Sequence, residues 1–216
     1  MFNTTNEEHY WFNRRDDAKT RRLKKLRFDR RQASGWDFEE EMFYERKSYR
    51  ALFLTLSFKA NRREDITLPT MQAYRRRFFR DIRDARPRNK LLYGIQGLVW
   101  KLEEGGRGGG LHLHLVIFYE AGRSGDVSIC RALGEYWADE ITCKWGDYHN
   151  SNADKEKHKK RWGIAVGSIG RDHHEMRDSL RKVIGVYMAK TTQEPRGSNE
   201  DDKLWGIIKP TRHDGS

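Results

Sequence analysis

The sequence contains little cysteine and no long apolar run, and these absences exclude several classes of protein. Its two cysteines, Cys130 and Cys143, form neither a C-x-x-C pair nor a disulfide framework, so we expect a reducing compartment such as the cytoplasm. No apolar run approaches the roughly 18 residues of a membrane-spanning helix, and the first residues lack the apolar core of a secretory signal. No G-x-x-x-x-G-K-[ST] motif is present, which excludes a P-loop NTPase domain.

What the chain has in excess is positive charge. Its 216 residues include 43 Lys and Arg against 32 Asp and Glu, a formal net charge of +11. Such a charge attracts polyanions, and nucleic acid is the favoured one because no membrane segment is predicted. A basic surface that serves only solubility is the alternative. The 7 Trp, 9 Tyr and 10 Phe supply enough large apolar surface for one core.

The chain is expected to consist of a basic N-terminal extension over residues 1–49, a domain over 50–210 and a tail over 211–216. The extension is crowded with Arg and Lys from Arg14 to Arg31. We interpret it as a basic helical arm that orders on binding, or as a helix with a solvated face. Ser34-Gly35 is expected to break the helical pattern.

Hydrophobic periodicity predicts the elements of the domain. Strands are predicted over 51–59, 91–103, 111–120 and 162–169, with an edge strand over 204–208; helices are predicted over 69–85, 127–143 and 173–190, and a polar loop over 147–160. The order β-α-β-β-α-β-α predicts an α+β fold of the ferredoxin-like or RRM-like type, an antiparallel sheet with helices packed on one face. The other face would then be free to hold a site.

A histidine pair lies inside the most apolar strand, in the stretch LHLHLVIFYE. His112 and His114 flank Leu113, and residues two apart on a strand point to the same face with Cα atoms about 6.6 Å apart. Two imidazoles spaced in this way can converge on one metal ion. Two histidines on the wet side of a half-exposed strand are the alternative interpretation.

The preceding strand, LVWKLEE, offers an acidic third ligand. If Leu98, Trp100 and Leu102 face the core, Glu103 faces the side that carries the histidine pair. Glu104 is the alternative, because a bulge near the following glycines would exchange the two faces. Two imidazoles and one carboxylate form a mixed site with open positions, which accepts Mn²⁺, Mg²⁺ or Zn²⁺.

The last predicted helix contains the stretch VIGVYMAK. Tyr187 and Lys190 are three residues apart and therefore share one face of the helix. A tyrosine can act as a covalent nucleophile, and because its free pKa is about 10 it needs a nearby cation or a polarised phosphate to attack near neutral pH. Lys190 is a candidate for that cation. A tyrosine at the core edge beside a solvated lysine is the alternative.

Taken in order, these motifs resemble the HUH endonucleases, and within them the single-tyrosine replication initiators of the Rep class. An apolar strand (52–58), the pair His112-Leu113-His114 with an acid on the neighbouring strand, and the helical tetrad from Tyr187 to Lys190 correspond to the three family motifs. The resemblance covers residues 51–190. It implies the HUH nuclease fold and a divalent metal, Mn²⁺ or Mg²⁺, as cofactor.

The resemblance also implies an activity. The metal at His112, His114 and Glu103 would polarise the scissile phosphate of single-stranded DNA at an origin, presented in a hairpin. Tyr187 would attack it, leaving a 5′-phosphotyrosine link and a free 3′-OH that primes rolling-circle replication of a plasmid, phage or virus. Because no P-loop is present, a separate helicase and polymerase would act in trans.

Two features of the sequence narrow this resemblance. Val183 stands one turn before Tyr187, so the enzyme is expected to use one tyrosine. The best third ligand is an acid, whereas many relaxases use a third histidine, which favours an initiator. A one-tyrosine transposase, a mobilisation relaxase and a non-catalytic DNA-binding repressor remain alternatives.

Two basic clusters are candidates for binding the phosphates of DNA. The first lies on the helix predicted over 69–85 and the second in the polar stretch before 162; their candidate contact residues are Arg75, Arg76, Arg77, Arg80, Arg83, Lys159, Lys160 and Arg161. Solvated basic faces are the alternative in both cases. Trp11, Trp36, Trp145 and Trp162 are candidates for stacking on bases.

Overall fold

The computed structural model describes residues 16–106, 108–122 and 125–211, which form one sheet flanked by helices. The strands are β1 (Ser48–Phe58), β2 (Ile95–Gly105), β3 (Gly110–Glu120), β4 (Gly146–Asn150), β5 (Gly167–Gly170) and β6 (Trp205–Ile208). The helices are α1 (Ala18–Glu45), α2 (Leu68–Arg83), α3 (Lys90–Tyr93), α4 (Asp126–Tyr136), α5 (Lys155–Trp162) and α6 (His174–Lys182). Turns of π-helix continue α4 over Trp137–Ile141 and α6 over Val183–Met188.

The strands pair in the order β4-β1-β3-β2-β6, and every pair is antiparallel. β5 also pairs with β1, beside its first residues, while β4 pairs with its last residues. These two short strands therefore share one edge of β1. The α+β class and the antiparallel sheet predicted from the sequence are confirmed.

Helices cover both faces of the sheet, so the prediction of helices on one face is wrong. On the first face Leu98, Leu113 and Leu115 pack against α2 and α4. On the second face Val99, Val116 and Phe118 pack against α1 and the π-helical continuation of α6. The prediction missed this second layer because it treated residues 1–49 as an extension outside the domain.

α1 is 28 residues long and packs on the sheet rather than projecting from it. Phe28, Phe38 and Met42 are buried, and the helix continues through Ser34-Gly35, where a break was predicted. Glycine is needed there for packing, because a Cβ at Gly35 would lie 2.6 Å from a methyl carbon of Ile184. The domain boundaries stay a prediction, and residues 1–15 and 212–216 lie outside the described residues. None of the described helices, α1 included, has the length and apolar character needed to cross a bilayer.

Two local predictions in the second half of the domain are wrong. The stretch predicted as a polar loop over 147–160 contains β4 and most of α5, and the strand predicted over 162–169 is reduced to β5. β4 lies at the sheet edge, where its polar side chains face solvent or a cleft and so need no apolar alternation. Asp154 caps the start of α5, where its side chain accepts from the N–H of Lys157, and Gly163 caps the end, where its φ of 82° suits glycine.

Asn152 fills the gap between β4 and β5 along the edge of β1. Its Oδ1 accepts from the N–H of Phe53 (2.9 Å), and its Nδ2 donates to the carbonyl of Ala51 (3.1 Å). Nδ2 also donates to Asp126 (2.9 Å), and the whole side chain is buried. The side-chain amide of Asn152 thus supplies the hydrogen bonds to β1 at the residues that lie between its pairings with β4 and β5.

Replacing Asn152 by leucine is expected to lower the free energy of unfolding by about 2–4 kcal/mol, because the buried N–H of Phe53 and C=O of Ala51 lose this partner. Urea denaturation of the purified variant measures the loss. The control is Asn61→Leu, the same change at an exposed position, which should leave stability nearly unchanged. Equal midpoints for the two variants would show that the amide does not hold this edge.

Candidate active site

The strand register places the predicted ligands side by side on the second face of the sheet. Glu103 of β2 lies directly opposite His112 of β3, and Lys101 lies opposite His114. On the other side of β3, Thr55 of β1 also lies opposite His114. No bulge separates the two faces near the glycines, so Glu103, and not Glu104, faces the histidine pair.

Glu103, His112 and His114 form a compact group of possible metal ligands. The Oε2 of Glu103 lies 3.2 Å from the Nε2 of His114 and 3.5 Å from the Nε2 of His112. One ligand atom from each of the three residues lies within 4.8 Å of the others. Glu104 points elsewhere: its carboxylate pairs with Arg196 at 2.7 Å.

Hydrogen bonds on the far side of each imidazole leave its Nε2 available. The Nδ1 of His112 lies 3.2 Å from the carbonyl of Gly110, which only accepts, so Nδ1 carries a proton, and a neutral ring would present the lone pair of Nε2 to a metal. The Nδ1 of His114 lies 2.9 Å from the hydroxyl of Thr55, an arrangement that allows the same tautomer. Burial lowers the pKa of His114 to about 4, so this ring is neutral at pH 7, as a metal ligand must be.

The two oxygens of Glu103 face different partners. Oε1 lies 2.5 Å from the Nζ of Lys101 and 3.0 Å from the Nζ of Lys190, while Oε2 faces the histidines. Burial by itself would raise the pKa of Glu103, but the charge of Lys101 and the hydrogen bonds of the two histidines outweigh it and hold the pKa well below its usual range. Burial lowers the pKa of Lys101 to about 7 and also lowers that of Lys190. The lysines fix the carboxylate through one oxygen and leave the other for a ligand.

This donor set fits a divalent cation. Ligand atoms bound about 2.1 Å from one ion lie about 3.0–3.4 Å apart at right-angled or tetrahedral geometry, close to the separations from Oε2 of Glu103. Two imidazoles and a carboxylate do not choose among Mn²⁺, Mg²⁺ and Zn²⁺.

Tyr187 meets this group from the π-helical turn that continues α6. Its hydroxyl lies 3.0 Å from the Nε2 of His114, and its ring packs edge-on against Phe53 and Trp162. The Nζ of Lys190 lies 4.2 Å from the centroid of the ring rather than at the hydroxyl. The ammonium group of Lys190, the cation predicted to assist Tyr187, therefore lies over the face of the tyrosine ring. It pairs with Glu103 and does not contact the hydroxyl.

α1 holds the backbone of the helix that carries Tyr187. The Nε1 of Trp36 donates to the carbonyl of Arg181, and the Nε2 of Gln32 donates to the carbonyl of Gly185. A guanidinium nitrogen of Arg31 donates to the carbonyl of Lys190 (3.2 Å). The helix predicted as a separate basic arm thus positions the tyrosine, and Trp36 is occupied in this contact.

A second link between α1 and α6 is a buried ion pair. Glu39 is fully buried, and Arg177 binds both of its oxygens at 2.8 and 2.9 Å. Such a bidentate pair fixes orientation as well as distance. The helix of the tyrosine is thereby anchored at its start as well as along its π-helical end.

A cleft of about 200 Å³ opens beside Tyr187 and His114. Its other walls come from β1, β4 and α5, and the lining side chains include Thr55, His149, Lys157, Arg161 and Trp162. Arg161 lies over the rings of Trp162 and Tyr187, at 5.0 and 5.4 Å from their centroids. The cleft is therefore aromatic on one side, and its charged lining residues are Lys157, Arg161 and Asp154.

The predicted phosphate-binding residues fall on two separate surfaces. α2 packs on the first face of the sheet, so Arg76, Arg77, Arg80 and Arg83 lie across the sheet from the histidine pair, exposed to solvent. Arg75 is only 6% exposed and stacks over Trp100 at 4.2 Å, so its assignment to DNA is corrected. Lys159, Lys160 and Arg161 are exposed on α5, and Arg161 lines the cleft.

Sequence reasoning did not identify Thr55, His149 or Arg31 as site residues. Thr55 sits in an apolar strand, and only its register opposite His114 gives it a role. The sequence predicts a loop at His149, because the residues of β4 do not alternate between apolar and polar. Of the predicted stacking residues, Trp162 lines the cleft, Trp145 carries Arg62 over its ring, and Trp11 lies outside the described residues.

A scan against protein families, a search of curated proteins and a search of solved structures each found no match.

Proposed function

We propose that this chain is an HUH-type endonuclease that nicks single-stranded DNA through a covalent tyrosine link, rejoins the strand, and initiates rolling-circle replication. One observation carries the proposal: the hydroxyl of Tyr187 lies 3.0 Å from the Nε2 of His114, which is also a member of the possible metal group. A nucleophile and a metal site so close together are what metal-assisted phosphoryl transfer requires. Three sequence motifs that are distant in the chain meet at this point.

The charge of the site supports an anionic substrate. Glu103 supplies a single carboxylate, whereas a divalent ion and the neighbouring Lys190 bring more positive charge than it neutralises. A purely structural metal site would not need this excess. A phosphodiester bound in the cleft beside Tyr187 would offset it.

In the proposed reaction each residue has a distinct role. His112, His114 and Glu103 would hold the divalent ion, and the ion would supply Lewis-acid polarisation of the scissile phosphate. Tyr187 attacks the phosphorus, the bond to the 3′-oxygen breaks, and the products are a 5′-phosphotyrosine and a 3′-OH. Because one phosphodiester replaces another, reversal by a 3′-OH rejoins the strand without ATP.

The sheet supports the finer fold assignment. Four strands in the order β4-β1-β3-β2, with α2 and α4 on one face, match the arrangement of a split βαβ unit. We propose the ferredoxin-like HUH fold on this basis, with α1 and α6 as the added layer that covers the tyrosine side.

The covalent adduct tests this function. Incubating the protein with Mn²⁺ and single-stranded DNA from the region around its own gene is expected to give a slowly migrating protein–DNA band on a denaturing gel. EDTA should abolish it, because the triad would lose its ion. The position of the cut is read from the length of the released 3′-OH fragment.

Other results would lead to other functions. DNA binding without any adduct or cleavage, unchanged by EDTA, would indicate a non-catalytic repressor. Cleavage at the ends of a mobile element or at a transfer origin, rather than at a replication origin, would indicate a transposase or a relaxase. The helicase and polymerase expected in trans follow only from the initiator function.

A further inference from the structure

Arg161 lies beside Tyr187 in the cleft. It is the next-to-last residue of α5, it is exposed, and it lines the cleft together with Tyr187 and His114. Its guanidinium carbon lies 5.4 Å from the centroid of the Tyr187 ring and 5.0 Å from that of Trp162. Contact with two aromatic rings restrains the position of the guanidinium, whose N–H groups can bind an anion.

Lys190 is not available for the same task. Its Nζ is bound to Oε1 of Glu103 at 3.0 Å and to Oε1 of Gln193 at 2.8 Å, and the residue is 6% exposed. It therefore lies behind the tyrosine ring, on the Glu103 side. Among the described residues, the Lys and Arg side chains that line the cleft are Lys157 and Arg161, and Arg161 is the one in contact with the Tyr187 ring.

We propose that Arg161 is a catalytic residue that binds a non-bridging oxygen of the scissile phosphate and stabilises its charge during attack by Tyr187. The inference rests on the proposed nuclease function and adds a reacting-phosphate role to Arg161. The P–O bond to Tyr187 forms as the P–O3′ bond breaks, the phenolic proton leaves to water, and the 3′-oxygen takes up a proton from water. No oxidant or further reactant is needed.

The test combines an arginine variant with a substrate that lacks the charge. Arg161→Ala is expected to slow single-turnover cleavage about 10²–10³-fold, as loss of one charge-stabilising donor does, while DNA affinity changes much less. A methylphosphonate at the mapped cut site removes the non-bridging charge. This substitution in the DNA should slow cleavage by the wild type strongly. It should slow cleavage by Arg161→Ala much less, because that variant already lacks the guanidinium that binds the charged oxygen.

Matched variants separate this role from general DNA binding and from folding. Lys160→Ala, an exposed residue of the same helix outside the cleft lining, should show the full methylphosphonate penalty of the wild type. Arg161→Lys should recover part of the rate, and added guanidinium ion should partly rescue Arg161→Ala. Thermal unfolding checks that all variants are folded.

Two outcomes would overturn the inference, and they differ from failure of the function. If wild type and Arg161→Ala show the same methylphosphonate penalty, Arg161 does not contact the reacting phosphate, although the nuclease stands. If Arg161→Ala weakens DNA binding and cleavage by equal factors, it is a ground-state contact only. If the wild type forms no adduct with any substrate, the proposed function fails and the inference with it.

Discussion

Replacing Tyr187 by phenylalanine is expected to abolish the covalent adduct and to lower DNA cleavage by on the order of 10⁴-fold or more, as loss of a nucleophile does. The variant removes one oxygen and keeps the ring, so the contacts with Phe53, Trp162 and the cation of Lys190 persist. The fold and the binding of single-stranded DNA should therefore be retained. Denaturing gels measure the adduct, and fluorescence anisotropy measures the binding.

The matched control is Tyr44→Phe, the same change at a tyrosine that is 83% exposed on α1. It should form the adduct at the wild-type rate. Cleavage that persists in Tyr187→Phe with an adduct of normal mobility would show that another residue is the nucleophile. Cleavage without any adduct in the wild type would instead point to a metal-dependent hydrolase that uses water.

Replacing Glu103 by glutamine should remove both metal binding and cleavage. Replacing a residue that only orients a metal ligand lowers the metal affinity about 10–100-fold. Replacing a ligand itself should therefore lower the metal affinity further. Glu104→Gln, one residue away, is the matched control and should be close to wild type, because Glu104 pairs with Arg196 on the surface. Calorimetric titration with Mn²⁺ alone measures the affinity, and the gel assay measures cleavage.

Glu103 also has a structural role that this experiment must separate. Lys101 is fully buried at 2.5 Å from Glu103, and loss of the partner of a buried charge costs about 3–5 kcal/mol. His112→Ala therefore provides a second variant: its ring lies at the more exposed end of the group and should reduce metal affinity with less effect on folding. Normal Mn²⁺ binding by both variants, with loss in Glu104→Gln, would move the site to Glu104.

The sequence by itself determined the three long strands β1, β2 and β3, the faces of β2 and β3, and the candidate ligands. Alternation along β3 sets Leu113 and Leu115 on one face and His112 and His114 on the other, because side chains on a strand alternate with a period of two. The same rule on β2 favoured Glu103 over Glu104. These predictions depend only on the local geometry of a strand, so the sequence alone supports them.

The tertiary structure decided what stands around those ligands. The packing of α1 joins segments about 150 residues apart, and no local sequence pattern encodes it. This packing decides which face of the sheet α1 covers, and it brings the side chains of α1 to the backbone carbonyls of the helix that carries Tyr187. The pairing of Lys190 with Glu103, and of Thr55 with His114, follows from strand register and helix placement together. Edge strand β4 and polar helix α5 lack apolar periodicity, because one side of each faces solvent or the cleft. Their position over Tyr187, and with it the role of Arg161, became visible only once the chain was folded.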